Sequence, residues 1–311
     1  PECAQMRRNE TKCPPNALEY PVILMSNSDP NHDLAADTFD AYKPAEMAKR
    51  VEAAGVAKAH LPLIPTFTLA VLAGGFIAFG AMFYTLTVTG SDLGFGPTRV
   101  LGGAVFSLGL ILVIVGGAEL FTGNNLIVMA WASGDVSLSA LLRNWVLVYA
   151  GNMVGSLGAV VLVALSGTLF IGGGDVAVTA LKIAAGKTQL PFMEALFRGV
   201  LCNTLVCLAV WLAFAAHTVP GKVMAVIFPV TAFVALGFEH SVANMYLIPA
   251  GLFAANDAAT VSASGLGQAA LATLTPEGFI ANLVPVTIGN ILGGSVLVAA
   301  VYWVCYLRPN K

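Results

Sequence analysis

Long apolar stretches separated by short polar ones fill the chain from residue 61 onward. Six of them carry almost no charged residue, and they cover residues 61–90, 100–133, 144–174, 199–221, 223–256 and 278–307. The fourth span begins earlier than its uncharged stretch, at Phe192 and its neighbours. Each stretch reaches or exceeds the roughly 20 residues that a helix needs to cross a hydrocarbon core. The pattern therefore predicts an all-α membrane protein, with a six-span domain over residues 61–311.

The first sixty residues have a different character. Residues 1–40 are rich in Asn, Asp, Pro and Ser, which is typical of an irregular tail. Residues 43–58, KPAEMAKRVEAAGVAK, favour a short amphipathic helix with Pro44 in its first turn. We therefore expect residues 1–60 to form an N-terminal tail that ends in this helix.

The distribution of Lys and Arg predicts the orientation. Six spans place both termini on one side, and that side would hold eleven Lys and Arg against three on the other. Positive residues favour the cytoplasmic side. The protein is therefore expected in the cytoplasmic membrane, with both termini in the cytoplasm. The eleven are the seven of residues 1–60 with Arg143, Lys222, Arg308 and Lys311, and the three are Arg99, Lys182 and Lys187.

A repeated polar motif interrupts the second and fifth spans. The second contains Glu119-Leu-Phe-Thr-Gly-Asn124 and the fifth contains Glu239-His-Ser-Val-Ala-Asn244, so both read E-x-x-x-x-N. Non-helical backbone at membrane depth is tolerated only where protein or a water-filled cavity satisfies its polar groups. The motifs therefore predict two broken helices that line a pore, although two buried structural kinks would leave the same pattern.

The third and sixth spans match each other through the motif G-N-x-x-G, at residues 151–155 and 289–293. Small residues four apart let helices approach closely, and an Asn can hydrogen-bond across the contact, so we interpret this motif as packing. Two motifs in the same order indicate a duplicated unit of three spans. Because three is odd, the second copy enters the membrane from the opposite side, which predicts an inverted 3+3 repeat.

Four kinds of polar side chain could carry chemistry. His240 lies in an interrupted span, and imidazole has an unperturbed pKa near 6.5, which suits proton exchange near neutrality. A carboxylate in an anion pore would repel its substrate, so Glu119 and Glu239 are interpreted as structural acceptors for the broken backbone. Thr122 offers a hydroxyl on the other interruption, and Asn203 is either a pore donor or a contact between helices.

Composition and motifs exclude several classes of function. The chain is 57% hydrophobic and 10% charged, against about 25% charged residues in soluble proteins, and no basic stripe suggests nucleic acid. The five cysteines have no metal-binding spacing. We find no catalytic triad, phosphate-binding loop, HExxH or haem motif. We therefore expect no cofactor, no metal site and no enzyme activity.

The segments GGAELFTGNNLIVMAWASG, RGVLCNTLVCLAVW, GFEHSVANMYLIPAG and NLVPVTIGNILGGSVLV resemble the formate/nitrite transporter family, and the last resembles its formate branch. The resemblance covers roughly residues 42–308. It implies a homopentamer in the lipid bilayer, with an aquaporin-like fold and one pore in each protomer. It places the central histidine at His240, the threonine at Thr122, the pore asparagine at Asn203 and an anion-attracting lysine at Lys187. The implied apolar constrictions are Phe106, Leu110, Phe121, Val206 and Phe233.

These observations predict a channel for formate, in which His240 lends a proton so that the neutral acid crosses the apolar constrictions. A nitrite or hydrosulfide channel of the same fold is the first alternative. A neutral-solute pore of aquaporin type would carry twin Asn-Pro-Ala motifs, which are absent from the sequence. A membrane-embedded redox enzyme would need a set of cofactor ligands.

Overall fold

The computed structural model describes residues 41–308, and this part of the chain contains helices, turns and coil without any β-strand. The expected tail over residues 1–40 lies outside the described residues, as do residues 309–311. Thirteen α-helices follow one another in the described part. They are α1 (Pro44–Ala59), α2 (Leu63–Val88), α3 (Phe95–Gly116), α4 (Val128–Ser133), α5 (Leu138–Ser166), α6 (Asp175–Thr188), α7 (Phe192–Ala215), α8 (Val219–Ala235), α9 (Ser241–Ala254), α10 (Ala258–Ser264), α11 (Gln268–Thr273), α12 (Pro276–Ile291) and α13 (Val301–Tyr306).

The long apolar helices correspond to the predicted spans. Among the described residues, α2, α3, α5, α7 and the continuous segment Pro276–Tyr306 are long and apolar enough to cross a membrane. That last segment joins α12 to α13 through a π-helix, Leu292–Ala300. The fifth predicted span is divided between the shorter α8 and α9, and the second continues from α3 into α4. The surface carries many exposed large apolar side chains, such as Phe95 and Leu165, as expected for a protein surrounded by lipid.

Close helix contacts depend on the glycines of the G-N-x-x-G motifs. A Cβ at Gly155 would lie 1.9 Å from the carbonyl oxygen of Val71, and one at Gly293 would lie 2.1 Å from that of Val200. A side chain at either position would therefore force two helices apart. The first contact joins α5 to α2 and the second joins the sixth span to α7, which agrees with the packing interpretation of this motif.

Two helices flank the spans in similar ways. α1 forms where the sequence predicts it, and it buries Met47, Ala48 and Val51 in an apolar cluster shared with residues 126–130. α6 is a helix that the sequence analysis did not identify, because its small, mostly apolar residues blend into the preceding uncharged stretch. It packs against α9 and ends beside the start of α7.

Candidate functional site: two broken helices and the cavities beside them

The first break lies between α3 and α4. α3 ends at Gly116, and Gly117 follows with a φ of 78°, a left-handed conformation that glycine adopts without strain. The chain then passes through Glu119 and Phe121 to the 3₁₀-helix Gly123–Ile127. Asn152 of α5 satisfies the free backbone: its amide donates to the Glu119 carbonyl oxygen at 2.9 Å, and its Oδ1 accepts from the Phe121 N–H at 2.9 Å.

The second break repeats these hydrogen bonds with residues of the other half. Asn290 of α12 donates to the Glu239 carbonyl oxygen at 3.0 Å and accepts from the Ser241 N–H at 2.9 Å. The asparagine of each G-N-x-x-G motif therefore satisfies the backbone of the neighbouring E-x-x-x-x-N motif, which explains why the two motifs occur together. The second break is shorter than the predicted range Glu239–Asn244. α9 already begins at Ser241, because His240 caps it.

The two motif glutamates are buried acceptors. Glu119 accepts from the Lys58 ammonium at 2.5 Å and from the Asn124 amide at 2.7 Å. Asn124 also donates to Asn144, whose own amide donates to the Lys58 carbonyl oxygen. The network ties α1, the first break and α5 together.

A second network has the same members in the other half. Glu239 accepts from the Lys187 ammonium at 2.8 Å and from the Asn244 amide at 2.7 Å. Asn244 donates to Asn282, whose amide donates to the Lys187 carbonyl oxygen. Lys187, the anion-attracting lysine of the resemblance, is therefore partly neutralised by an acid.

Lys58 is a site residue that the sequence analysis did not identify. Its signal is a second repeat: Lys58 and Lys187 both open the motif K-x-x-L-P, which ends at Pro62 in one copy and at Pro191 in the other. Each lysine lies at the end of the helix before a span, α1 or α6. The matching of the two halves therefore extends to α1, which the sequence analysis had assigned to the tail.

His240 and Thr122 meet between the two breaks. The Ala243 N–H donates to His240 Nδ1 at 3.0 Å, capping α9, so in the neutral ring the proton lies on Nε2. Nε2 lies 2.9 Å from Thr122 Oγ1 and donates to it. The Thr122 hydroxyl hydrogen is then free to point elsewhere. Both side chains are buried.

Two cavities lie beside the breaks. The tail-side cavity, of about 250 Å³, is lined by Lys58, Lys222, Leu110, Gly117 and Asn124, among others. The far cavity, of about 270 Å³, is lined by His240, Glu239 and a group of cationic residues. These cations are Arg99, Lys182, Lys187 and Arg198.

The helices α3 and α8 connect the cavities in opposite directions. Arg99, near the start of α3, lines the far cavity, and Gly117, directly after the end of α3, lines the tail-side cavity. The two residues are separated by about 27 Å along the helix. α8 has Lys222 at the tail-side cavity and Val234 at the far one. The two helices are thus antiparallel, as an inverted repeat requires. The relation between the complete three-span halves stays a prediction.

The five residues expected at apolar constrictions are all buried. The Phe106 and Phe233 rings meet edge to face at 5.9 Å, and the Phe233 ring lies 6.0 Å from the His240 imidazole. Leu110 lines the tail-side cavity, whereas neither cavity reaches the other four. Packed side chains therefore separate the cavities in this conformation. The five are Phe106, Leu110, Phe121, Val206 and Phe233.

Asn203 is buried in α7 and faces the first break. Its amide donates to the carbonyl oxygens of Thr122 at 3.2 Å and Asn290 at 2.7 Å. Asn203 therefore fixes the backbone carbonyl of Thr122.

Comparison with known proteins gives a consistent result. The sequence profile described as formate/nitrite transporter matches residues 45–304. The formate channel FocA of Escherichia coli strain K12 is 45% identical over 280 residues, which cover 89% of this chain and 98% of that protein. A probable formate transporter of Methanothermobacter thermautotrophicus is 38% identical over 282 residues, 85% of this chain and 97% of that protein.

Two solved structures have a similar fold. A structure described as a pentameric formate channel with formate bound has a TM-score of 0.73 and 42% sequence identity, covering 79% of this chain and 98% of that one. A structure described as an FNT family ion channel also has a TM-score of 0.73, at 27% identity, covering 85% of this chain and 99% of that one.

Proposed function

This chain belongs to the formate/nitrite transporter family, and we propose that it conducts formate and related small monovalent anions across a membrane. The relatives named above are described as formate channels or transporters, which favours formate over nitrite and hydrosulfide. The function is transport rather than catalysis, and it needs no cofactor.

The assembly and orientation belong to the same proposal. The similar structure described as pentameric is covered almost completely by this chain, which supports a homopentamer. One pore in each protomer is what the family resemblance implies. The bias of Lys and Arg supports cytoplasmic termini. The tail-side cavity would then open to the cytoplasm and the far cavity to the opposite side.

One observation carries the proposal: the hydrogen-bonded Thr122 and His240 lie among buried apolar side chains, next to the polar break of each half. The Nε2–H of His240 orients the Thr122 hydroxyl, whose hydrogen is free to donate to a carboxylate oxygen of formate. The Phe233 ring lies against the His240 imidazole and meets the Phe106 ring edge to face, so apolar side chains flank this pair. An anion that reaches this pair exchanges its hydration shell for these donors.

Proton transfer from His240 has a defined structural requirement. In that step the Thr122 hydroxyl gives its hydrogen to formate and takes the Nε2 proton of His240, while Nδ1 takes a proton from water in the far cavity, which His240 lines. In the resting arrangement Nδ1 is occupied by the Ala243 N–H. The cap of α9 must therefore open, at a cost of about 1 kcal/mol. Transferring an ionised carboxylate through an apolar constriction costs several times more. Opening the cap is the smaller of these two penalties, which favours passage as neutral formic acid.

Uptake into proteoliposomes tests the proposal. We expect formate uptake to exceed nitrite and hydrosulfide uptake in the same vesicles. Thr122→Val, which keeps the shape but removes the hydroxyl, should lower formate flux at least tenfold, whereas Thr122→Ser should retain most of it. Nitrite or hydrosulfide flux equal to formate flux would contradict the substrate assignment, and an active Thr122→Val variant would contradict the role of the hydroxyl.

A further inference from the structure

Two cations occupy matching positions in the first turns of α3 and α8. Arg99 follows Pro97 by two residues, and Lys222 follows Pro220 by two residues. Because α3 and α8 are antiparallel, Arg99 lies at the far cavity and Lys222 lies at the tail-side cavity. Each cation lies near the carboxyl end of the other helix, where unpaired carbonyl oxygens give a partial negative charge.

The two side chains differ in what they contact. The Arg99 guanidinium donates to the carbonyl oxygens of Ala235 at 2.7 Å and Val234 at 3.1 Å, so it is fixed on the end of α8. The Lys222 ammonium donates to no atom and pairs with no acid among residues 41–308, and its side chain is half-buried. An ammonium on a flexible four-carbon stem can therefore move within the tail-side cavity.

The other cation of the tail-side cavity is already compensated. Lys58 is paired with Glu119 at 2.5 Å, which leaves Lys222 as the one unpaired cation among the described residues that line this cavity. An anion entering there meets the carboxyl end of α3 at Gly117, whose dipole repels it. Lys222 offsets that repulsion.

We infer that Lys222 is a positioning residue that gathers small monovalent anions in the tail-side cavity before they reach Thr122, while Arg99 fixes the fold at the matching position. This inference rests on the proposed conduction of formate. A unit charge at a channel mouth raises the local anion concentration on its own side, and salt screens the effect over a Debye length. Removal of Lys222 should therefore act in one direction of flow and only at low ionic strength.

The test is the initial flux of radiolabelled formate through full-length protein in proteoliposomes, measured in both directions, with insertion direction read from protease cleavage of an N-terminal tag. In about 20 mM salt, Lys222→Gln should reduce the flux of formate entering from the tail side about two- to four-fold, the effect of a unit charge several ångströms away in a high effective dielectric constant. Flux in the other direction should change little, and the difference between variant and wild type should vanish in about 1 M salt. Lys222→Arg should behave like the wild type.

Lys182→Gln is the matched control, since Lys182 is an exposed cation at the far cavity with no partner among the described residues. It should reduce flux in the opposite direction. An equal loss in both directions, a loss that persists in high salt, or no loss at all would each overturn the role of Lys222. Absence of formate flux in the wild type would overturn the proposed function itself.

Discussion

Replacing each motif glutamate by glutamine should destabilise the protein to different extents. In both halves the carboxylate accepts from a lysine through one oxygen and from an asparagine through the other. Glutamine preserves the shape and one acceptor, but it leaves the lysine without a counter-charge. The lysines differ in exposure: the Lys187 side chain is 15% exposed and the Lys58 side chain 34%.

That difference sets the size of the effect. Breaking a buried ion pair by removing one partner costs about 3–5 kcal/mol, because a charge stays buried without compensation. An exposed pair contributes about 0–1 kcal/mol. Since water reaches Lys58 better than Lys187, we expect Glu239→Gln to cost about 2–4 kcal/mol and Glu119→Gln about 1–2 kcal/mol. At about 2–4 °C per kcal/mol, the conversion for domains of about 150–250 residues, the expected losses in Tm are about 4–16 °C and 2–8 °C.

Thermal unfolding in detergent, followed by intrinsic fluorescence, measures both losses. The double variant Glu239→Gln with Lys187→Met should recover part of the lost Tm, because removing both partners of a buried pair is far less costly than removing one. A larger loss for Glu119→Gln than for Glu239→Gln would refute the argument from exposure. No recovery in the double variant would show that lost shape, rather than an unpaired charge, causes the loss.

The remaining structural predictions concern packing and Lys187. Gly155→Ala should lower Tm by several degrees, because its Cβ would overlap a carbonyl oxygen. Gly158→Ala, whose added Cβ has no neighbouring atom within 4 Å, should leave Tm unchanged or slightly raised. Equal Tm values for the two variants would contradict the packing role of Gly155. Lys187→Ala should reduce formate flux equally at low and high ionic strength, because Glu239 already compensates the lysine charge; a loss confined to low salt would show that Lys187 attracts anions.

The broken helices could be predicted because their polar motifs occur twice in otherwise apolar spans. A glutamate inside a membrane helix is costly, and a repeated one marks a feature that the fold requires. The sequence also identifies the asparagines of the G-N-x-x-G motifs, although it assigns them to helix packing. Their second role is to hold the break of a neighbouring span, and it depends on contacts between residues far apart in the sequence. Asn152 is 31 positions from Phe121, and Asn290 is 51 positions from Glu239.

The lysine partners could not be predicted from local pattern. Lys58 is 61 residues from Glu119, and Lys187 is 52 residues from Glu239. Helix periodicity carries no information over such distances, so only the repeated K-x-x-L-P motif could have linked them. α6 was missed for a related reason, since its apolar composition gives no sharp boundary after α5. The restart of α9 at Ser241 depends on the His240 cap, a side-chain geometry that the motif alone does not specify.

Formate flux measured from about pH 5 to 8 in wild type and His240→Asn tests the central claim most directly. Asparagine is a good helix N-cap, so the variant should keep α9 and the oligomer, which size-exclusion chromatography checks, while the titratable group is removed. We expect wild-type flux to rise as pH falls and the variant to lose this rise. An intact variant with the wild-type rate and the wild-type pH profile would contradict proton transfer through His240.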